Sequence, residues 1–162
     1  MGKKIWFLTG NLGKVKEAKQ HLQKLGYDVE QLVVDVEITE PQADNIKAVA
    51  EAKITQALPH LPNENDMLLV EDAGLFIEHL NGFPGVYSAY ALNTIGCNGV
   101  LKLLAHLESE DPVMNGQMRS AEFQAVAALW TGEGILFGNG ICPGWISQKI
   151  DGEGGFGFDP IF

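Results

Sequence analysis

The sequence has no apolar run approaching the roughly 20 residues that a membrane-spanning helix requires. Its first greasy stretch, Ile5-Trp6-Phe7-Leu8, is too short for a secretion signal and reads as a strand instead. No membrane partner is therefore expected. Cysteine is scarce: Cys97 and Cys142 are too few for a disulfide scaffold and are expected to be buried thiols in a reducing, cytoplasmic setting. Basic residues are outnumbered, 11 Lys+Arg against 21 Asp+Glu, for a formal net charge of −10. A chain this acidic has no global field to draw in a nucleic-acid backbone, so no nucleic-acid partner is expected. A small polyanion stays open, provided that backbone N–H donors, a local basic cluster or a divalent metal receive it. The four histidines, His21, His60, His79 and His106, stand singly, without the spacing of a zinc site. With no linker, repeat or low-complexity tract, the 162 residues are expected to form one compact domain, or two small lobes sharing one sheet.

The periodicity is α/β first and β-hairpin later, which predicts a mixed sheet with helices packed on it. Lys3 to Leu8 predicts a strand, and Thr9-Gly10-Asn11 breaks it. Val15, Ala18, Leu22 and Leu25 then recur at helical spacing up to Gly26. Val29 to Ile38 predicts a second strand, closed by Glu40-Pro41. Asp44 is the expected N-cap of a second helix whose apolar face is Ile46, Val49, Ala50, Ile54, Ala57 and Leu58. Met67 to Val70 predicts a strand buried on both faces, leading into Glu71-Asp72-Ala73-Gly74. A turn at Asn81 to Gly85, a helix over Asn98 to Leu107, a strand over Ala121 to Trp130 and a hairpin at Thr131-Gly132-Glu133-Gly134 into Ile135-Leu136-Phe137 follow. Nine of the 19 glycines fall between Gly132 and Gly157, so this end is turn-rich.

Five features could carry chemistry. Thr9-Gly10-Asn11-Leu12-Gly13-Lys14 joins a strand to a helix N-terminus, where free N–H groups and the positive end of the helix dipole favour phosphate. It is not a Walker A loop, because two residues rather than four separate its glycines and Val15 follows Lys14. A plain N-capped helix with a solvated lysine is the alternative. Glu71 and Asp72 follow a buried strand, where α/β sheets place ligands. Two adjacent carboxylates there suit a cation or a proton transfer, and alternation along an extended chain points only one into a cleft. Asp72, beside Ala73-Gly74, is favoured; a solvated acid next to a turn cap is the other reading. Glu40 could join Asp72 as a hard oxygen ligand for Mg²⁺, or be a surface acid. Gly152 to Pro160 contains a literal G-x-G-x-x-G, but no helix can start there. It is expected to be a mobile loop that offers Phe156 or Phe158 for stacking and Asp159 as a polar contact to a base, or else a hairpin tying off the sheet. Lys53 could face a phosphate or snorkel at the surface.

Together these residues resemble the inosine triphosphate pyrophosphatase family. The resemblance rests on Thr9-Gly10-Asn11 with Lys14, on Val70-Glu71-Asp72-Ala73-Gly74-Leu75, on Gly82-Phe83-Pro84-Gly85-Val86-Tyr87-Ser88 and on Gly155-Phe156-Gly157-Phe158-Asp159-Pro160-Ile161-Phe162, four motifs in the family's order. It implies an elongated two-lobed α/β fold with a nucleotide cleft, a homodimer and dependence on Mg²⁺. Carried over residue by residue, Thr9, Gly10, Asn11, Lys14 and Lys53 would hold phosphate. Glu40 and Asp72, with Glu71 as a further candidate, would bind the metal, and Asp72 would be the base for the attacking water. Ala73 and the stretch Phe156, Gly157, Phe158 and Asp159 would contact the rest of the nucleotide. The implied reaction is attack of water on the α-phosphorus of ITP, dITP or XTP, releasing a monophosphate and pyrophosphate.

The chain departs from the family pattern in three places. The family continues past this last motif by a few tens of residues, with a Ser-His-Arg element for the purine, and the residues to Phe162 lack that tail. Ala89-Tyr90 stand where relatives carry a basic residue, and Trp145 stands where Arg is common. Two alternatives follow: a non-catalytic nucleotide-binding variant, and a Maf-like pyrophosphatase for modified pyrimidine nucleotides.

Overall fold

The computed structural model describes residues 3–152 and 155–162. Five strands hydrogen-bond in the order β2-β1-β3-β4-β5: β1 Lys3–Leu8, β2 Tyr27–Leu32, β3 Met67–Ile77, β4 Ser120–Trp130 and β5 Ile135–Trp145. The helices are α1 Leu12–Leu22, α2 Ile46–Ala57, α3 Ser88–Thr94, α4 Gly96–Leu103 and α5 Pro112–Met118. The fold is α/β, as the periodicity indicates. The chain divides into two compact units, one built from residues up to Asp72 with Val126–Asn139, the other from Ala73–Ala125 with Gly140–Phe162.

The first unit is a parallel β2-β1-β3 ribbon. β1 pairs with β2 from Lys3↔Tyr27 to Leu8↔Leu32, and with β3 from Ile5↔Met67 to Leu8↔Val70. Ile5, Phe7, Val29 and Met67 form a buried cluster against which Val15, Ala18 and Leu22 of α1 pack. The second helix buries Ile46, Val49, Ala50, Ile54 and Ala57, the stripe that its 3.6-residue period marks.

Several boundaries differ from the sequence expectation. β2 stops at Leu32, because its partner β1 ends there in register; Val33 and Val36 are exposed. Asn45 rather than Asp44 caps α2, accepting from the Ala48 N–H. Helix α1 ends at Leu22, and the single turn Gln23–Leu25 that follows leaves Leu25 exposed before Gly26 at φ 87°. β3 runs unbroken through Glu71-Asp72-Ala73-Gly74, so these residues lie inside a strand rather than after one. The helix expected over Asn98–Leu107 is regular only to Leu103, although Val100, Leu104 and Leu107 are buried as its spacing implies. β5 is much longer than Ile135–Phe137. Cys142 is exposed, not a buried thiol, whereas Cys97 is partly buried.

In the second unit the core gathers Leu75, Ile77, Val100, Leu104, Ile146, Phe158 and Ile161. Two polar devices hold it. The Ser88 hydroxyl donates to the Gly85 carbonyl (2.7 Å) and accepts from the Leu75 N–H (2.8 Å), and a β-carbon at Gly74 would collide with that same carbonyl. Arg119 is 2% exposed, and among the described residues no carboxylate forms an ion pair with it. Its guanidinium donates to the carbonyls of Leu104 (2.7 Å) and Leu107 (3.2 Å), just past α4, and of Ile146 (2.8 Å) and Ser147 (2.7 Å) after β5. The negative end of a helix dipole suits a cation at that place.

Replacing Arg119 with Lys leaves several of these buried carbonyls without a donor. At about 1–3 kcal/mol for each orphaned group, the variant is expected to lose roughly 2–4 kcal/mol. Urea unfolding measures this, and an unchanged midpoint would contradict the assignment.

Candidate active site

The site assembles within the first unit, around two lysines. The turn after β1 sets the first. Asn11 is the N-cap of α1: its Oδ1 accepts from the N–H groups of Gly13 (2.9 Å) and Lys14 (3.4 Å). The Thr9 hydroxyl accepts from the Asn11 N–H at 3.1 Å. Both side chains therefore fix the turn in addition to facing its surroundings. Space around Gly10 is open, so backbone can approach a ligand there. One turn into α1, Lys14 Nζ lies 2.9 Å from Glu71 Oε1.

The second lysine is more enclosed. Lys53, on α2, has a side chain 16% exposed, and its ammonium contacts Glu40 Oε1 at 2.7 Å and Asp72 Oδ1 at 3.4 Å. Asp72 is 14% exposed. The alternation of β3 explains why neighbouring acids reach different lysines, Glu71 to Lys14 and Asp72 to Lys53. Burial pushes the Asp72 carboxyl above the ordinary carboxylate range, the nearby Glu40 charge adds to this, and Lys53 and Lys14 oppose it. Desolvation outweighs the lysines, so Asp72 grips a proton more firmly than a free aspartate.

Thr9, Gly10, Glu40 and Lys53 line a cavity of about 300 Å³ together with Gln31, Leu32 and Ile38. Two glutamines that no sequence motif marks hold its walls. Gln31 Nε2 donates to the Thr9 carbonyl at 2.8 Å. Gln56 faces Thr39, taking its N–H at Oε1 (2.9 Å) and giving Nε2–H to its carbonyl (2.8 Å). The available signal was position, since Gln56 stands three residues after Lys53 on one helix face.

The donor set suits Mg²⁺. Two hard carboxylates, Glu40 and Asp72, both reach the Lys53 ammonium, and Mg²⁺ characteristically takes one or two carboxylates and completes its shell with water and phosphate. Among the described residues no group of three or more His, Cys, Asp or Glu could cage a metal. A cation held by these two carboxylates would complete its shell with water or with oxygen atoms of a ligand.

The remaining sequence candidates, Ala73 and Phe156 to Asp159, belong to the second unit. Glu153 and Gly154, inside the glycine-rich motif, lie outside the described residues. The following stretch is tied down rather than free. Asp159 Oδ2 accepts from the Phe156 N–H at 2.6 Å, and Asp151 N–H donates to the Pro160 carbonyl at 2.9 Å. Gly155 and Gly157 have φ of 97° and 64°, which favours glycine at both. Phe158 is 3% exposed and belongs to the core, whereas Phe156 is 70% exposed. Of the two rings, only Phe156 has a face available for stacking. Two histidines that are distant in sequence, His79 and His106, meet at the surface with Nε2 atoms 3.2 Å apart.

The protein thus combines an open α/β sheet with a lysine–carboxylate cluster beside a strand-to-helix turn. The Ham1 family model matches residues 5–162, and the chain belongs to the Ham1 family. A dITP/XTP pyrophosphatase of Thermococcus kodakarensis is 42% identical over 159 residues, 98% of this chain and 78% of its own length. One from Methanopyrus kandleri is 42% identical over 161 residues, with the same coverage. Among solved structures, the Staphylococcus aureus Ham1 protein superposes with a TM-score of 0.77 at 30% identity, covering 99% of this chain and 80% of that one. Among the described residues, no helix is long and apolar enough to cross a membrane.

The raised Asp72 carboxyl predicts a pH effect on stability. The folded protein binds this proton more tightly than the unfolded chain, so stability falls as pH rises from about 4 through the folded value. Asp72→Asn removes that loss. It is expected to melt at or above the wild-type temperature at pH 7, with the difference shrinking toward pH 4. A variant clearly less stable at pH 7 would count against the assigned environment.

Proposed function

We propose that this chain is a nucleoside triphosphate pyrophosphatase acting on non-standard purine nucleotides, dITP, ITP and XTP, and that residues 1–162 work as one domain for this purpose. The observation that carries it is the enclosed Asp72, proton-avid and in contact with Lys53, which also holds Glu40. The names of the relatives, dITP/XTP pyrophosphatases, support the substrate class.

In this reading Asp72 accepts a proton from the water that attacks the α-phosphorus. The bond from that phosphorus to the bridging oxygen breaks, and pyrophosphate leaves the nucleoside monophosphate. A carboxylate with a raised pKa is a better proton acceptor than an ordinary one, provided that it is ionised at the working pH. Lys53 and Lys14 move from carboxylate to phosphate oxygens as the polyanion enters, and the turn at Thr9, Gly10 and Asn11, open at Gly10, lets backbone approach them. Glu40 and Asp72 would hold Mg²⁺, with Glu71 remaining on Lys14 or joining them. When bound, the cation neutralises charge on the phosphates and the leaving group. The family resemblance assigns the remaining nucleotide contacts to Phe156, Gly157, Phe158, Asp159 and Ala73, and among the two rings Phe156 is the exposed one. The acidic surface argues against a nucleic-acid partner, and a homodimer in the cytoplasm completes the proposal.

Purified protein with Mg²⁺ is expected to release pyrophosphate from dITP and XTP well ahead of dATP and dGTP. Asp72→Asn should lower kcat by about a hundredfold or more, with a smaller effect on KM. Equal release from all four nucleotides would reject the selectivity. Calorimetric binding of dITP without any pyrophosphate release would favour a non-catalytic binding protein, and preference for modified pyrimidine triphosphates would favour the Maf-like alternative.

A further inference from the structure

Residues 33–45, which carry Glu40, form no helix or strand. Among the described residues, the backbone of 33–44 makes no hydrogen bond to the rest of the protein except at Thr39, where Gln56 takes both the N–H and the carbonyl. That pairing copies, with one side chain, the two bonds that an adjacent strand would make. Gln56 is itself steadied by a bond from Nε2 to the Ala52 carbonyl at 3.0 Å. The helix beneath is anchored by its buried stripe, including Ile54 and Ala57 on either side of Gln56 in sequence.

Gln56 and Lys53 stand three residues apart on α2 and grip consecutive residues of the segment, Gln56 the backbone of Thr39 and Lys53 the carboxylate of Glu40. The two grips differ in kind. The salt bridge is to an exposed carboxylate and loosens whenever Lys53 turns to another anion. The amide pairing is neutral and does not depend on what Lys53 binds. We infer that Gln56 is a positioning residue for Glu40, keeping its carboxylate at the site when Lys53 releases it to take phosphate. This role rests on the pyrophosphatase reading above, which gives Glu40 a cation and Lys53 a phosphate to hold. It explains how an otherwise untethered segment can supply a ligand at a defined place. Outer contacts that orient a metal ligand commonly alter affinity or activity by 10- to 100-fold, so loss of this one is expected to cost about tenfold.

The test compares full-length wild type with Gln56→Ala and Gln56→Glu. The glutamate keeps an acceptor for the Thr39 N–H but has no donor for its carbonyl. Without nucleotide, hydrogen exchange at the Thr39 amide should quicken about tenfold in Gln56→Ala and less in Gln56→Glu. Calorimetry with Mg²⁺ and a dITP analogue bearing nitrogen between the α- and β-phosphorus should show binding about tenfold weaker in Gln56→Ala and intermediate in Gln56→Glu. The half-saturating Mg²⁺ for dITP cleavage should rise in parallel, with kcat at saturating Mg²⁺ changing less. Faster Thr39 exchange with unchanged analogue binding would overturn the positioning role, as would unchanged exchange in Gln56→Ala. A wild type that neither binds the analogue nor cleaves dITP would instead remove the pyrophosphatase reading, and Thr39 exchange would then decide the clamp by itself.

Discussion

One ammonium group, Lys53 Nζ, sets the character of this protein. It joins a helix, an irregular segment and a strand by touching the carboxylates of Glu40 and Asp72 while nearly enclosed itself. Ion pairs on a protein surface contribute little, and Glu40 is half exposed, but Lys53 and Asp72 are shielded from water and cannot exchange their interaction for hydration at equal cost. Asp72 could not stay ionised as easily at this place without the lysine. Conversely, the lysine is not strong enough to bring Asp72 back to an ordinary carboxylate. Desolvation prevails, and an aspartate within a buried strand is left with more proton affinity than its chemistry alone would give it. The folded chain retains an electrostatically unfavourable group in a place where packing alone would prefer an apolar one, and the proposed chemistry gives a reason for it.

The second unit is built on the opposite plan. Its buried charge, Arg119, is surrounded by backbone carbonyls instead of carboxylates, and it binds the end of α4 to the chain leaving β5. Ser88 and Gly74 weld the residues just after Asp72 to the turn around Gly85, so the strand is fixed within three residues of that carboxyl group. Arg119 thus serves packing, while Lys53 serves a charge that must remain available. The distinction follows from what each faces: carbonyl groups cannot be titrated or displaced by an incoming polyanion, and carboxylates can.

Much of this was legible in the residues. Apolar spacing marks β1, the core-facing residues of α1 and the buried stripe of α2, because burial against one neighbour imposes a single period. The turn at Thr131–Gly134 is equally plain. Other features depend on tertiary partners. The break expected at Glu71-Asp72 is absent because lysines from α1 and α2 compensate charges that local propensity would exclude from a strand. β2 is shorter than its valines suggest, since β1 has no residue left to pair with them. Helices α3 and α5 span seven residues each, too few for a period to emerge. Asp44 and Asn45 offer nearly equivalent caps, and only the backbone decides between them. Phe156 and Phe158 are indistinguishable by type, yet one is a core residue and the other is exposed, because they stand on either side of a glycine with positive φ. The glutamines were invisible for a different reason. A neutral amide that grips backbone leaves no pattern of charge or hydrophobicity.

Charge is also why the site and the acidic surface are compatible. At rest the cluster holds three carboxylates against two ammoniums and so remains net negative. By itself it repels a triphosphate, which carries about four negative charges when ionised. Two changes remove that barrier together in the proposed reaction. In that proposal Glu40 and Asp72 would be ligands of a divalent cation, and Lys53 would be free to face the phosphates. The lysine would then not be an additional attraction held in reserve. It would be the counter-ion that the cation replaces, the same charge serving first to keep the acids together and then to bind the substrate. For an acidic protein this arrangement would favour a nucleotide that arrives with its cation, because the nucleotide alone would meet a net negative cluster.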